Sequence, residues 1–436
     1  MIRYSNNTNL KSIKILGLFN KFDVNIPFDN NVNIYIGENG VGKTTILNCI
    51  YYILSLKLNK LNSIPFDEII ISYKDDTSDT LKKKFIKPPF PTTFTKKLLN
   101  KKYNIDIDID SNISNTLKEK IINDYIFSHL NEYLFDEQYE KKVYSKQNKL
   151  NIEKKINEKP LYLPTYRRIE NSFNNKLTEK IKDEYSINFG MSDVTESINK
   201  ILEEIKVSSI NQFNKMTSKL LKQALKNEPQ KEISFNIDIK TVEIILNRLS
   251  NVISSKDKEN ILNIFKFPSY KFNNDYKFLL NFMQQLVINY NKEQKKYDDK
   301  INNFVNTCNK YFTNKAFYYN PNTLGLQIYW DDDTNNRTPI SLNELSSGEK
   351  QIVSLFNKLY LDTNDTTSYI IIIDEPELSL SLFWQKMLLP DIMATNKCKL
   401  LLTVTHSPFI FDNEFKSFAK DIKRYITPIK DYRFNK

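Results

Sequence analysis

Glycine is scarce in this chain, with 7 in 436 residues. Glycine-rich linkers and collagen-like repeats are therefore excluded as organising features. Cysteine is scarce too, and Cys49, Cys308 and Cys398 show no metal-ligand spacing. Their odd number argues against a disulfide framework. With 2 histidines in all, His129 and His406, no H-N-H-like nuclease cluster can be assembled. No apolar run approaches the roughly 18–20 residues that span a bilayer. The N-terminus shows no signal-peptide core. The expectation is a cytoplasmic protein with no membrane partner and no nuclease activity of its own.

Positive charge is in excess. The net charge is +11 and the pI about 9.1. Such a balance suits an acidic partner, either nucleic acid or an acidic protein, and equally a lysine-rich solvated surface. Hydrophobic residues at 40% and charged residues at 26% are ordinary for a globular chain. The length allows two or three structural units around large cores.

Three of the few glycines stand together, in Asn31–Thr45, NVNIYIGENGVGKTT. Val32, Ile34 and Ile36 alternate with Asn33 and Tyr35, which predicts a strand. Gly37 to Thr44 then fits G-x-x-x-x-G-K-[ST], a phosphate-binding loop. Its glycines let the backbone curl so that successive N–H groups face one anion. The candidate phosphate ligands are Gly37, Asn39, Gly40, Gly42, Lys43, Thr44 and Thr45. Lys43 would reach the β- and γ-phosphates of ATP, and the Thr44 hydroxyl would meet Mg2+. A helix follows from Lys43 to about residue 58, placing the phosphates at its positive end.

Two short strands are expected over 11–30 and another over 66–72. Residues 81–104 hold eight lysines, no acid and Pro88, Pro89 and Pro91, and read as a basic surface loop. Residues 105–110, IDIDID, alternate as an edge strand does. Leu161–Glu170, LPTYRRIE from Leu163, reads as a strand ending in a polar turn, with Arg167 and Arg168 able to meet a phosphate or a neighbouring subunit. Residues 171–315 read as mainly helical. Over 274–312, Met283, Tyr290, Tyr297, Phe304 and Tyr311 recur every seventh position, as on one straight helix of about 58 Å. That stripe implies a helical partner, inside the insertion or across a dimer.

Strand character returns at 317–330. Leu345-Ser346-Ser347-Gly348-Glu349 then opens a helix, making Ser346, Ser347 and Gly348 a second candidate anion site. Tyr369–Ile373 is continuously apolar, as in a strand buried on both faces, and ends in Asp374-Glu375-Pro376. Asp374 is the candidate Mg2+ ligand beside Thr44, and Glu375 the candidate base for the attacking water. A second buried strand, 400–405, ends at His406, which could hydrogen-bond the γ-phosphate.

In that order these motifs resemble an ABC-type ATPase of the SMC, RecF and OLD kind. The combination GLF-x-KFD, LPTYRRIE, LSSGE and DEPELSL is similar to the ATPase subunits of bacterial anti-phage systems such as PARIS and Septu. Ser381 and Leu382 stand where such proteins often carry His-Pro. The resemblance implies an α/β P-loop NTPase with a two-lobe head and a mainly helical, coiled-coil-like insertion. Residues 1–170 would form the N-terminal lobe, 171–315 the insertion and 316–436 the C-terminal lobe. It implies a head-to-tail homodimer or larger homo-oligomer with ATP and Mg2+ between subunits, Lys43 and Glu375 facing Ser347 and Gly348 of the other copy. It further implies control of a separate effector nuclease in response to a phage factor. The alternative is a DNA-binding repair or chromosome-maintenance ATPase.

Overall fold

The computed structural model describes residues 5–38, 40–83, 150–164, 191–226, 238–249, 252–266, 277–331, 337–362 and 366–429. The expectations for Asn39, for 84–104, for the 105–110 strand, for His129 and for Arg167 and Arg168 lie outside these residues.

In chain order the elements are β1 (Leu10–Leu18), β2 (Phe22–Pro27), β3 (Val32–Ile36), α1 (Lys43–Leu54), α2 (Leu58–Asn62), β4 (Glu68–Tyr73), β5 (Ser78–Lys82), α3 (Ile152–Lys155) and β6 (Lys159–Leu163). Then come α4 (Ser192–Lys226), α5 (Ile239–Arg248), α6 (Ser255–Lys266), α7 (Lys277–Asn289), α8 (Lys295–Asn309), β7 (Lys315–Asn320), β8 (Gly325–Asp331), β9 (Arg337–Ile340) and α9 (Ser347–Tyr360). The chain finishes with β10 (Tyr369–Asp374), α10 (Leu382–Ala394), β11 (Cys398–Thr405), β12 (Ala419–Asp421) and β13 (Ile426–Pro428). Two compact units result: Met1–Thr165 with Thr367–Leu378 and Gln385–Lys436, and Tyr166–Thr366 with Ser379–Trp384.

The first unit is α/β. Its antiparallel sheet runs β13-β2-β1-β4-β5 and its parallel sheet β12-β3-β11-β10-β6. In β1, Leu10, Ile13, Ile15 and Leu18 face the core. β10 is buried at every residue, as its unbroken isoleucine run predicts for a strand covered on both faces. Each buried isoleucine contributes about 1.5–3 kcal/mol, so the site that β10 carries rests on a stiff base. Parallel pairing sets Thr405 opposite Ile36 and Asp374 opposite Val404. The carboxyl ends of β3, β11 and β10 therefore lie side by side, where open α/β sheets bind ligands. The two last strands divide: β12 pairs with β3, and β13 pairs with β2. α1 ends at Leu54, earlier than expected, because Leu56 takes φ 56° and turns the chain.

The second unit is mainly helical and adds the antiparallel sheet β7-β8-β9. Met216, Val242, Leu246, Phe265, Met283 and Val287 bring α4, α5, α6 and α7 into one core. Of the stripe, Met283 and Tyr290 pack within this core, whereas Phe304 meets Phe317, and Tyr311 meets Phe356 and Trp384, all outside 171–315. The helix expected over 274–312 is present from Lys277 to Asn309, with one irregular turn. A five-residue π segment, Tyr290–Gln294, separates α7 from α8. Tyr290 and Gln294, four residues apart, share one face of the helix and both point inward, at 5% and 4% exposure.

Those inward groups join a buried ion pair. Arg248 Nη2 lies 2.7 Å from Asp298 Oδ1, with side chains 1% and 6% exposed. Arg248 also donates to Gln294 Oε1 at 3.0 Å and to the Pro321 carbonyl at 3.0 Å. Tyr290 and Tyr319 donate to the Asp298 carboxylate at 2.7 and 2.5 Å. Removing one partner of such a pair leaves an uncompensated charge, which costs about 3–5 kcal/mol. Arg248→Ala is accordingly expected to lower the free energy of urea unfolding of this unit by about 3–5 kcal/mol. A loss below about 1 kcal/mol, the range of surface pairs, would show that water replaces the guanidinium.

Candidate nucleotide site

The loop after β3 turns through two left-handed glycines, Gly40 at φ 86° and Gly42 at φ 84°. Gly42 caps α1 and, having no side chain, makes no cap hydrogen bond to the first turn. The first-turn amides of α1 are thus available to an anion. Gly42 also needs its missing Cβ, since one would sit 3.1 Å from the ring of Phe19.

Lys43 is 6% exposed. Its ammonium donates to the carbonyls of Gly37 and Glu38, each at 2.8 Å, and lies 2.7 Å from His406 Nε2. With lysine as donor, Nε2 is the acceptor. Burial pulls the Lys43 pKa below its ordinary value, while the nearby Glu375, Asp374 and Glu377 carboxylates act in the opposite sense. A lysine held among neutral dipoles and near three carboxylates is placed for a phosphate oxygen.

Thr44 Oγ1 donates to Asp374 Oδ2 at 2.7 Å. Asp374 is fully buried at the end of β10. A hydroxyl and a carboxylate oxygen this close form a hard-oxygen donor set, which fits Mg2+. Mg2+ commonly takes one or two protein ligands and completes its shell with phosphate and water. The pair therefore suffices without a larger acidic cluster.

Glu375 follows in the left-handed region, φ 49°, with its N–H bonded to the Val404 carbonyl at 2.9 Å. That conformation is strained for a side chain longer than glycine. It turns the carboxylate toward His406, with 3.9 Å between Glu375 Oε1 and Nε2. The first unit thus brings together Gly37, Gly40, Gly42, Lys43, Thr44, Asp374, Glu375 and His406. Thr45, half-buried, lies in the first turn of α1.

In the second unit Ser346 caps α9. Its hydroxyl accepts from Glu349 N at 3.3 Å, and Glu349 Oε2 accepts from Ser346 N at 2.7 Å. Lys315 Nζ holds the same carboxylate at 2.8 Å. Burial raises the Glu349 pKa, but the hydrogen bonds from Lys315 and Ser346 outweigh it and the net shift is downward. Ser346 and Ser347 are exposed, whereas Gly348 is buried. A Cβ on Gly348 would lie 2.4 Å from the Ser379 carbonyl oxygen. This glycine is needed for close packing.

The family of AAA ATPase domains designated AAA_15 matches residues 9–411, which span every one of these positions. The chain belongs to this family. Over 98 residues this AAA ATPase is 33% identical to the DNA replication and repair protein RecF of Clostridium kluyveri, covering 22% of the chain and 23% of RecF. The match therefore spans less than a quarter of that relative. Among solved structures, the Smc head domain with an extended coiled coil from Pyrococcus furiosus, bound to the C-terminal domain of ScpA, aligns at TM-score 0.36 and 13% identity, covering 96% of each chain. The Smc head domain with a coiled coil and joint from Pyrococcus yayanosii aligns at 0.31 and 15%, covering 92% of this chain and 93% of that one.

Several residues of this AAA ATPase escape sequence reasoning. Phe19 lies beside Gly42, and Ile422 lies so close to Gly37 that a Cβ there would come within 2.7 Å. Lys423 pairs with loop residue Glu38 at 2.8 Å. Residues 385 positions apart carry no local signal of contact. Glu377 is a fourth. It bonds to the turn that carries His406, and its place in DEPELSL was the one available hint.

Proposed function

We propose that the chain binds Mg·ATP on the 37–44 loop and hydrolyses it, as the ATPase subunit of an anti-phage system. In this role it senses a phage factor and controls a separate effector nuclease. The observation that carries the ATPase reading is the 2.7 Å contact between Thr44 and Asp374 beside the Lys43 loop. Thr44 and Asp374 would hold Mg2+, which when bound supplies charge neutralisation for phosphoryl transfer. Lys43 binds the β/γ-phosphates and holds their charge. Glu375 orients the attacking water and takes its proton. His406, bonded to Lys43, reports on the γ-phosphate position. In the head-to-tail arrangement, Ser346, Ser347 and Gly348 of a second copy close the site.

The combination of LPTYRRIE, LSSGE and DEPELSL supports the defence reading. The 98-residue match to RecF favours a second reading, a DNA-binding repair ATPase. Purification from the native host separates them. A stoichiometric nuclease subunit supports the first. DNA binding that grows with DNA length, with no such subunit, supports the second.

Ser347→Arg tests the paired site. The exposed position tolerates the change in the folded monomer, but the arginine obstructs a facing γ-phosphate. Hydrolysis is expected to fall in this variant and to return when it is mixed with Lys43→Ala protein, because a mixed dimer keeps one intact composite site. No recovery at any mixing ratio would sink the head-to-tail reading.

A further inference from the structure

We propose that Glu377 is a positioning residue for hydrolysis, fixing the His406 turn to the loop that carries Glu375. The proposal rests on the ATPase reading above.

The geometry is a clamp. One carboxylate oxygen, Glu377 Oε1, accepts from two successive backbone amides, His406 N at 2.7 Å and Ser407 N at 3.1 Å. The other, Oε2, accepts from the Thr405 hydroxyl at 2.7 Å. Ser407 Oγ donates to Gln385 Oε1 at 2.6 Å, and Gln385 Nε2 returns to the Glu377 carbonyl at 3.4 Å. Gln385 is 6% exposed and Thr405 fully buried. The end of β11 is thereby tied to the 375–378 loop through three consecutive residues.

That loop has little freedom of its own. Glu375 is left-handed at φ 49°, and Pro376 fixes the next φ by its ring. Glu377 comes immediately after, so the clamp and Glu375 move as one piece. Its effect is on His406, whose ring is about a third exposed, meets Lys43 at 2.7 Å and stands 3.9 Å from Glu375. A ring this open owes its place to its backbone. Glu377 itself touches neither Lys43 nor the Thr44–Asp374 pair through any of these bonds. Its charge acts on Lys43 only through space, while its bonds hold the His406 turn, so its larger contribution falls on the hydrolytic step.

Position and charge make different demands. Glutamine keeps one carbonyl oxygen for the two amides, and its NH2 can donate to Thr405 Oγ1, so Glu377→Gln preserves the clamp without the charge. Glu377→Ala removes both. Misplacing a reacting geometry by about 1 Å costs on the order of 10²-fold in rate. Glu377→Ala is expected to lower kcat by about that factor with a much smaller effect on ATP affinity, and Glu377→Gln to restore most of the loss in kcat. Equal losses in the two variants would assign Glu377 an electrostatic role and overturn the proposal.

A second readout needs no turnover. The chain has 2 histidines, so selective labelling gives two imidazole signals, and His129→Gln identifies that of His406. In nucleotide-free protein, Glu377→Ala is expected to move or broaden the His406 signal, and Glu377→Gln to leave it in place. Should the alanine variant not fold, Glu377→Asp, one methylene short of both amides, is expected to displace the same signal. An unmoved signal in the folded Ala or Asp variant overturns the clamp. A wild-type chain that fails to hydrolyse ATP overturns the ATPase reading alone, because the histidine signal still tests the clamp.

Discussion

Glu375→Gln is expected to cut ATP hydrolysis by about 10²–10⁴-fold, the usual scale of general-base catalysis, and to leave Mg·ATP binding intact. The substitution keeps the length of the side chain and removes only its capacity to take a proton. Its backbone environment is unaffected, because the residue's N–H bonds to the Val404 carbonyl at 2.9 Å whichever side chain it carries. Glutamine also meets the same left-handed strain as glutamate at φ 49°, so folding should change little. Lys43, Thr44 and Asp374 remain to bind nucleotide. In a head-to-tail dimer, ATP favours the closed state and blocked turnover accumulates it by mass action. The variant should then elute as a larger assembly with ATP than without it. Near-normal turnover in a steady-state assay would show that another group activates the water.

Lys43→Ala is expected to abolish measurable ATP binding. The ammonium is the buried cation of the loop, with three polar neighbours at 2.7–2.8 Å. Alanine leaves the loop with its amides and no charge to meet the β/γ-phosphates. It also removes the hydrogen bonds from Lys43 to the Gly37 and Glu38 carbonyls, each worth about 0.5–1.5 kcal/mol net. Thermal unfolding in the absence of nucleotide must therefore accompany the binding assay. A folded variant with normal affinity for ATP would refute the phosphate-loop assignment.

The first half of the site was legible because its signals are local. A period-two strand, a glycine pair at positive φ and a lysine at the helix start occupy one short stretch. The isoleucine run of β10 likewise announces a strand buried on both faces, and its acids fall at the end where such sheets bind ligands. What escaped depends on partners distant in sequence. Nothing near Tyr290 signals a π turn. Nor does it signal Arg248 and Asp298, which meet Gln294 and Tyr290 at the same buried point. The grouping of Ser379–Trp384 with the helical unit escaped for the same reason. Gly348 was expected to serve an anion, yet what requires a glycine there is the Ser379 carbonyl. Glu377 reads as one more acid in an acidic motif until Thr405, His406 and Ser407 are seen around its carboxylate.

The way β12 and β13 divide between two sheets has a consequence for biosynthesis. β12 covers the outer edge of β3, and β13 covers that of β2. While a ribosome has not yet translated residues 419–428, both sheets present bare hydrogen-bonding edges, the kind that recruit foreign strands. Gly37 in that interval also lacks the side chain of Ile422 that packs against it. A nascent chain can thus translate its entire nucleotide motif early and still be unable to complete the surroundings of that motif until residues 419–428 have followed. Stop codons within 419–428 should yield aggregates in place of a folded, truncated chain.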